Sequence, residues 1–281
     1  MAAREGSFVK DTFDVKNLFS LDGNVAILTG ATGYFGRVFA HALCEAGAEV
    51  LLVARSVDAL DSLKNELAAR SHARVSTHAV DLRNDDALRT FVEKTTREHN
   101  KLDIIVNNAY SGKPGTVESS DVDAFREAYD ITVTAAFRLV QCLRPLLTKA
   151  GHLNRSGASV INIASMYGVV SPDPEIYGDS GSNNPPYYGT AKAGLIQLTR
   201  YLACHLASSG IRVNSISPGP FPPKALAKSA PRLYEELCRK VPLGRIGLPE
   251  ELIGALLFLA SDASSYVTGM NLPVDGGWTA W

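Results

Sequence analysis

The sequence lacks any apolar run close to the roughly 20 residues a membrane-spanning helix needs. Its opening stretch, MAAREGSFVKDTFDVKNLF, alternates charged and apolar side chains and has no apolar block of the kind a secretion signal carries. These absences set the expectation of a cytoplasmic protein without membrane association. Charge of either sign is not in excess: 28 Lys and Arg stand against 29 Asp and Glu, a formal net charge of −1, and the basic residues are dispersed. Neither a nucleic-acid partner nor a polybasic anchor is expected from that pattern. Cysteine is scarce. The four present, Cys44, Cys142, Cys204 and Cys238, are far apart and show no metal-ligand spacing. Each lies in an apolar, helix-like stretch, so four buried free thiols and no metal are expected. Repeats, low-complexity tracts and linkers are also missing.

What is present is ample core material: 281 residues, of which 46% are hydrophobic. Short runs rich in Val and Ile recur as NVAILTG, AEVLLVAR, ARVSTHAVDL, LDIIVNNA, ASVINIAS, IRVNSISPG and MNLPVDGG. They show little alternation, which is the pattern of strands covered on both faces. Amphipathic stretches such as GRVFAHALCEAG and DDALRTFVEKTTREH separate them. Alternation of this kind predicts an α/β fold, a doubly wound parallel seven-stranded sheet with helices on both faces. One domain is expected over 21–281, after an N-terminal extension over 1–20. Two segments interrupt the rhythm. Residues 170–187 are rich in Pro, Gly, Asp, Ser and Asn, and residues 218–232 in Pro and Lys. Both follow strands on the side of the sheet where open α/β folds bind ligands, and 170–187 and 218–240 are expected to be substrate loops.

The first strand runs into TGATGYFGR, which places Gly30, Gly33 and Gly36 between a strand and a helix. A turn there needs a residue free of Cβ constraints. The helix N-terminus beyond it offers free N–H groups and partial positive charge to a pyrophosphate. The second strand ends in Ala54–Arg55, where an NAD site usually carries a carboxylate for the ribose 2′-hydroxyl. A guanidinium suits a 2′-phosphate, so NADP(H) is favoured over NAD(H). Farther along, PPYYGTAKAG sets two tyrosines ahead of a lysine. A helix holding Lys192 should begin at the proline pair. Tyr188, four residues before Lys192, then shares its face, and Tyr187 does not.

In order and spacing these motifs resemble the short-chain dehydrogenase/reductase family, in its single-domain Rossmann-like branch. The resemblance runs from Leu21 onward through the glycine turn, Asp81–Leu82, NNA at 107–109, IAS at 163–165, YGTAK at 188–192, RVNSISPG at 212–219, RIGLPEE at 245–251 and DGG at 275–277. It implies that Tyr188 is the proton donor or acceptor for the substrate oxygen. Lys192 then lowers the pKa of Tyr188 and holds the nicotinamide ribose, and Ser165 binds the substrate oxygen. It further implies a dinucleotide on Gly30, Thr32, Gly33, Tyr34, Phe35 and Gly36, with Asp81 and Leu82 at the adenine edge. Asn108 and Ala109 would lie under the nicotinamide ribose, with Pro218, Gly219 and Phe221 nearby. A small-molecule substrate and a homo-oligomer, a dimer or tetramer, are expected on the same ground, with Trp278 and Trp281 in a contact.

Three departures from the family pattern stand out. Tyr34 takes the place of the middle glycine. Thr132 aligns with an Asn that supports a water-linked proton relay to the lysine, and its single hydroxyl can hold a water less rigidly. Tyr110 replaces the glycine of NNAG, and either lines the substrate pocket or shields the loop. The segment between Ser165 and Tyr188 is longer than usual and rich in hydrogen-bonding groups. Its ASMYG…PPYYGTAK pattern looks like chains grouped with gluconate 5-dehydrogenase and with reductases of surface-sugar pathways. A secondary alcohol or ketone that is polyhydroxylated or sugar-like is therefore expected, with Tyr110 and Tyr167 as substrate contacts. Two alternatives stay open: a nucleotide-sugar epimerase or dehydratase, and an NADP-sensing protein that has lost turnover.

Overall fold

Seven strands form one sheet, and every neighbouring pair in it is parallel. The computed structural model describes residues 14–71, 74–178, 180–181 and 183–281. A short helix α1 (Val15–Phe19) precedes β1 (Val25–Thr29), α2 (Tyr34–Glu45), β2 (Glu49–Ala54), α3 (Val57–Ala68), β3 (Val75–Ala79) and α4 (Asp85–Glu98). Then come β4 (Ile104–Asn107), α5 (Val122–Tyr129), α6 (Ala135–Leu153), β5 (Ala158–Ile163), α7 (Pro186–Leu206) and β6 (Ile211–Pro218). The chain closes with α8 (Leu226–Ser229), α9 (Pro231–Lys240), α10 (Ile253–Ala260) and β7 (Asn271–Val274). All seven Val- and Ile-rich runs are strands of this Rossmann-like sheet.

The order is β3-β2-β1-β4-β5-β6-β7, so the direction of winding reverses between β1 and β4. Crossovers on opposite sides leave a crevice there, beyond the strand C-termini. Side chains explain why the sheet is buried. Strands β1, β5 and β6 are covered along their whole length, and two apolar cores lie on the two faces. One core packs Phe39 and Leu43 of α2 with Leu256 and Leu259 of α10. The other packs Leu139, Leu143 and Leu147 of α6 with Leu202 and Leu206 of α7. Strand ends feed helices through side-chain caps: Ser56, Asn84 and Asp121 accept from the amides of Ala59, Ala87 and Ala124.

Several expectations are corrected. Segment 218–232 is not irregular throughout, because α8 and α9 occupy most of its second half. The long central amphipathic stretch is broken by one π-helical turn, Asp130–Thr134, between α5 and α6. Of the four thiols, Cys44 is buried and Cys238 half-buried, whereas Cys142 and Cys204 are exposed. An apolar neighbourhood in sequence does not say which side of a helix a residue occupies. Trp278 is buried within its own chain, and Trp281 is 81% exposed. No helix among the described residues is long and apolar enough to cross a membrane.

Candidate active site

A cleft of about 390 Å³ opens at the crevice between β1 and β4. Its floor begins at the turn after β1. Gly30 sits there at φ +61°, and a Cβ on it would press on the Ala109 backbone at 2.8 Å. A Cβ at Gly36 would strike the Gly30 and Ala31 carbonyl oxygens, so that glycine lets α2 close onto the turn. The turn is braced from β4. The amides of Asn108 and Ala109 donate to Thr29 Oγ1 at 2.9 and 3.1 Å, and the Asn108 side chain donates to the carbonyls of Thr29 and Gly30, both at 3.1 Å. The N-terminus of α2 therefore faces the cleft across a rigid bend.

At one end of the cleft Arg55 stands exposed after β2. Beside it Arg83 forks onto Asp81, with its Nε at 3.1 Å and a terminal nitrogen at 2.8 Å from the two carboxylate oxygens. That bond is the main reason the Asp81 carboxyl titrates below its ordinary value. Leu82, Thr32, Gly33, Tyr34 and Phe35 complete this part of the wall. Gly36, Pro218, Gly219 and Phe221 lie outside the lining. Phe221 meets Phe35 edge-on at 5.7 Å, and Tyr34 Oη donates to the Pro222 carbonyl at 3.3 Å, which draws the segment after β6 to the rim.

The other end holds Tyr188, Lys192 and Tyr110. Helix α7 starts at Pro186, so Tyr188 and Lys192 share a face. Tyr187 turns away: its hydroxyl donates to the Lys113 carbonyl at 2.7 Å. Ser165 is buried close to the Tyr188 phenol but outside the cleft lining, and its Oγ accepts from the Tyr167 amide at 3.1 Å. Lys192 is buried and donates to the Ile163 carbonyl at 2.6 Å. Burial pushes its amine down to about 7. Burial also raises the Tyr188 phenol, partly offset by the nearby Ser165 hydroxyl. The expected lowering of the phenol by the ammonium is thus not what these residues produce by themselves. Both groups are desolvated, which favours the neutral form of each, and the amine faces a carbonyl.

Thr132 is buried in the π-turn, and its Oγ1 has no hydrogen-bond partner among the described residues. Such turns are frequent at functional sites, and an orphaned buried hydroxyl is a place for a water. Tyr167, expected at the substrate, lies outside the cleft. Its hydroxyl is bonded to that of Tyr177 at 2.9 Å and its ring packs on Trp278. The polar groups of 170–187 are largely turned to other uses. Asp173 pairs with Lys240 and caps a short turn, Glu175 is exposed, and the Asn183 backbone carbonyl accepts from the Gly115 amide. Asp179 and Ser182 lie outside the described residues. Lining residues that escaped the sequence reading include Val80, Arg83, Ser111 and Ile131. Arg83 carried a readable signal, since it stands two residues after Asp81.

A family model described as enoyl-(acyl carrier protein) reductase matches residues 30–279. A rhamnolipids biosynthesis 3-oxoacyl-[acyl-carrier-protein] reductase of Pseudomonas aeruginosa is 34% identical, over 92% of this chain and 98% of its own. A galactitol 2-dehydrogenase (L-tagatose-forming) of Cereibacter sphaeroides is 31% identical, over 95% and 100%. Among solved structures, the Pseudomonas aeruginosa RhlG/NADP active-site complex superposes with a TM-score of 0.82 at 33% identity, over 93% of this chain and 98% of that one. Matched over nearly its whole length in sequence and fold, the chain belongs to the short-chain dehydrogenase/reductase family of oxidoreductases.

Proposed function

We propose that the chain interconverts a secondary alcohol and a ketone with NADP(H), on a polyhydroxylated, sugar-like small molecule. The observation that carries this reading is one cleft with a glycine bend and the α2 N-terminus along its floor, the exposed Arg55 guanidinium at one end and Tyr188 and Lys192 at the other, with Ser165 next to Tyr188. That donor set fits a phosphorylated dinucleotide. Arg55 would take the 2′-phosphate, the α2 N-terminus the pyrophosphate and Lys192 the nicotinamide ribose. When bound, the cofactor supplies or accepts the hydride. In reduction, Ser165 and Tyr188 donate hydrogen bonds to the ketone oxygen, and the Tyr188 proton passes to the oxygen as alkoxide character develops. Lys192, protonated, steadies the phenolate that remains, and Thr132 holds the water through which the proton returns.

Support for a hydroxylated substrate comes from the galactitol 2-dehydrogenase relative, which is 31% identical over 95% of this chain. A second reading, an acyl or alicyclic ketone, draws on the apolar cluster of Met166, Tyr167, Leu233 and Trp278 against which Tyr188 packs. An oligomer is supported by Val122, Phe125, Tyr129 and Phe137, which are exposed along α5 and α6. The reading takes the cytoplasm as its setting. A panel of keto-sugars, sugar acids and 3-oxoacyl thioesters, followed by NADPH oxidation, tests it. Turnover is expected with a keto-sugar, and Tyr188→Phe should lower it by about a thousandfold or more while NADPH still binds. Full activity in Tyr188→Phe would refute the mechanism, and turnover of the thioesters alone would move the substrate to the second reading.

A further inference from the structure

Position 110 is where this chain places a large aromatic ring at the reaction end of the cleft. The Tyr110 and Tyr188 rings meet edge to face, with centroids 4.9 Å apart and planes at 78°. Lys192 Nζ lies 5.5 Å from the Tyr110 centroid and 5.8 Å from that of Tyr188. The amine thus lies beside both rings of this touching pair, with the Ile163 carbonyl as its hydrogen-bond acceptor. The ring has a fitted berth. Gly112 lacks the side chain that would collide with the Tyr110 phenol, and the strand end that carries Tyr110 is fixed by the bonds from Asn108 and Ala109 to Thr29.

We propose that Tyr110 is a positioning residue whose ring caps Lys192 and buttresses Tyr188, so that amine and phenol reach the substrate as one shielded pair. The proposal rests on the reading of Tyr188 and Lys192 as the reacting pair. A ring edge against the Tyr188 ring limits its swing about χ1 and χ2, which preserves the near-attack placement of the hydroxyl. A ring face over the amine excludes water while still attracting the charged form. Both contacts are made by the ring, so the Tyr110 hydroxyl is dispensable for this role.

Reductive methylation with formaldehyde and cyanoborohydride, read lysine by lysine by mass spectrometry, tests the cap without any substrate. In the wild type and in Tyr110→Phe, Lys192 should label far more slowly than the exposed Lys64. In Tyr110→Gly its labelling should quicken at least about tenfold. Tyr110→Leu, which keeps bulk without a π-face, gives the same comparison should the glycine variant not fold. With a ketone that turns over, Tyr110→Gly should lower kcat about tenfold with little change in NADPH affinity. Unchanged Lys192 labelling in Tyr110→Gly and Tyr110→Leu, or Tyr110→Phe labelling as fast as they do, would overturn the proposal. Full activity in Tyr188→Phe would instead refute the reaction reading, and the labelling would still report the cap.

Discussion

Arg55 reaches solvent at the end of β2 without a carboxylate bonded to it among the described residues, whereas Arg83 beside it is forked onto Asp81. The two guanidiniums in this wall therefore differ in availability. A phosphate can recruit Arg55 directly, but would have to compete with Asp81 for Arg83. Arg55→Ala should weaken NADPH binding about tenfold to a hundredfold, the range of a charge-assisted hydrogen-bonded contact. NADH binding should hardly change. Fluorescence titration with both cofactors measures this, and an equal loss for both would remove the 2′-phosphate argument. Ala54–Arg55 was readable because the end of a second strand is a position with known chemistry. The ring contacts of Tyr110 were not readable, since 110 and 188 meet only through the fold.

At the scale of elements, the π-turn Asp130–Thr134 is the clearest case of structure overruling pattern. Its residues continue an amphipathic helix in sequence, yet one extra residue per turn buries Thr132 with its hydroxyl unpaired. Periodicity cannot show such a turn, because it shifts the register by a fraction of a helical turn. Thr132→Asn adds a second polar atom at that spot and should hold a relay water more firmly. Its kcat should equal or exceed the wild-type value, up to about threefold. A large fall in steady-state rate would show that the threonine hydroxyl has its own role. Segments 170–187 and 218–240 follow the same lesson. Their polarity was plain in sequence, but Asp173 is committed to Lys240 and the Tyr167 hydroxyl to Tyr177. Polar composition tells how many groups a loop has, not which of them face the cleft.

For the whole molecule, stability should depend on pH through a group far from chemistry. His78 on β3 is buried against Phe91 of α4, with ring centroids 5.0 Å apart. Burial, aided by Lys94, pushes its pKa down to about 4 from 6.5. Between those values the unfolded chain binds a proton that the folded chain does not. Stability from this site is therefore full above pH 6.5 and is lost as pH falls towards 4. The slope approaches about 1.4 kcal/mol per pH unit at its steepest. Denaturant unfolding of wild type and His78→Gln between pH 4 and 7 should show a flatter profile for the variant. Parallel profiles would mean that His78 titrates alike in both states.

By itself the sequence determined the seven strands, the glycine bend and the shared face of Tyr188 and Lys192, though not that the edge strands β3 and β7 stay only half-buried. Each depends on neighbours within a few residues: a run of branched apolar side chains, a backbone turn, a four-residue helical step. Tertiary structure alone decided which thiols face water, how Arg83 clamps Asp81 and where the polar loop groups go. It also set Lys192 against the rings of two tyrosines and shifted the Tyr188 phenol and the Lys192 amine towards their neutral forms. Those outcomes depend on desolvation and on contacts between segments distant in the chain, and neither exists until the sheet has closed around its crevice.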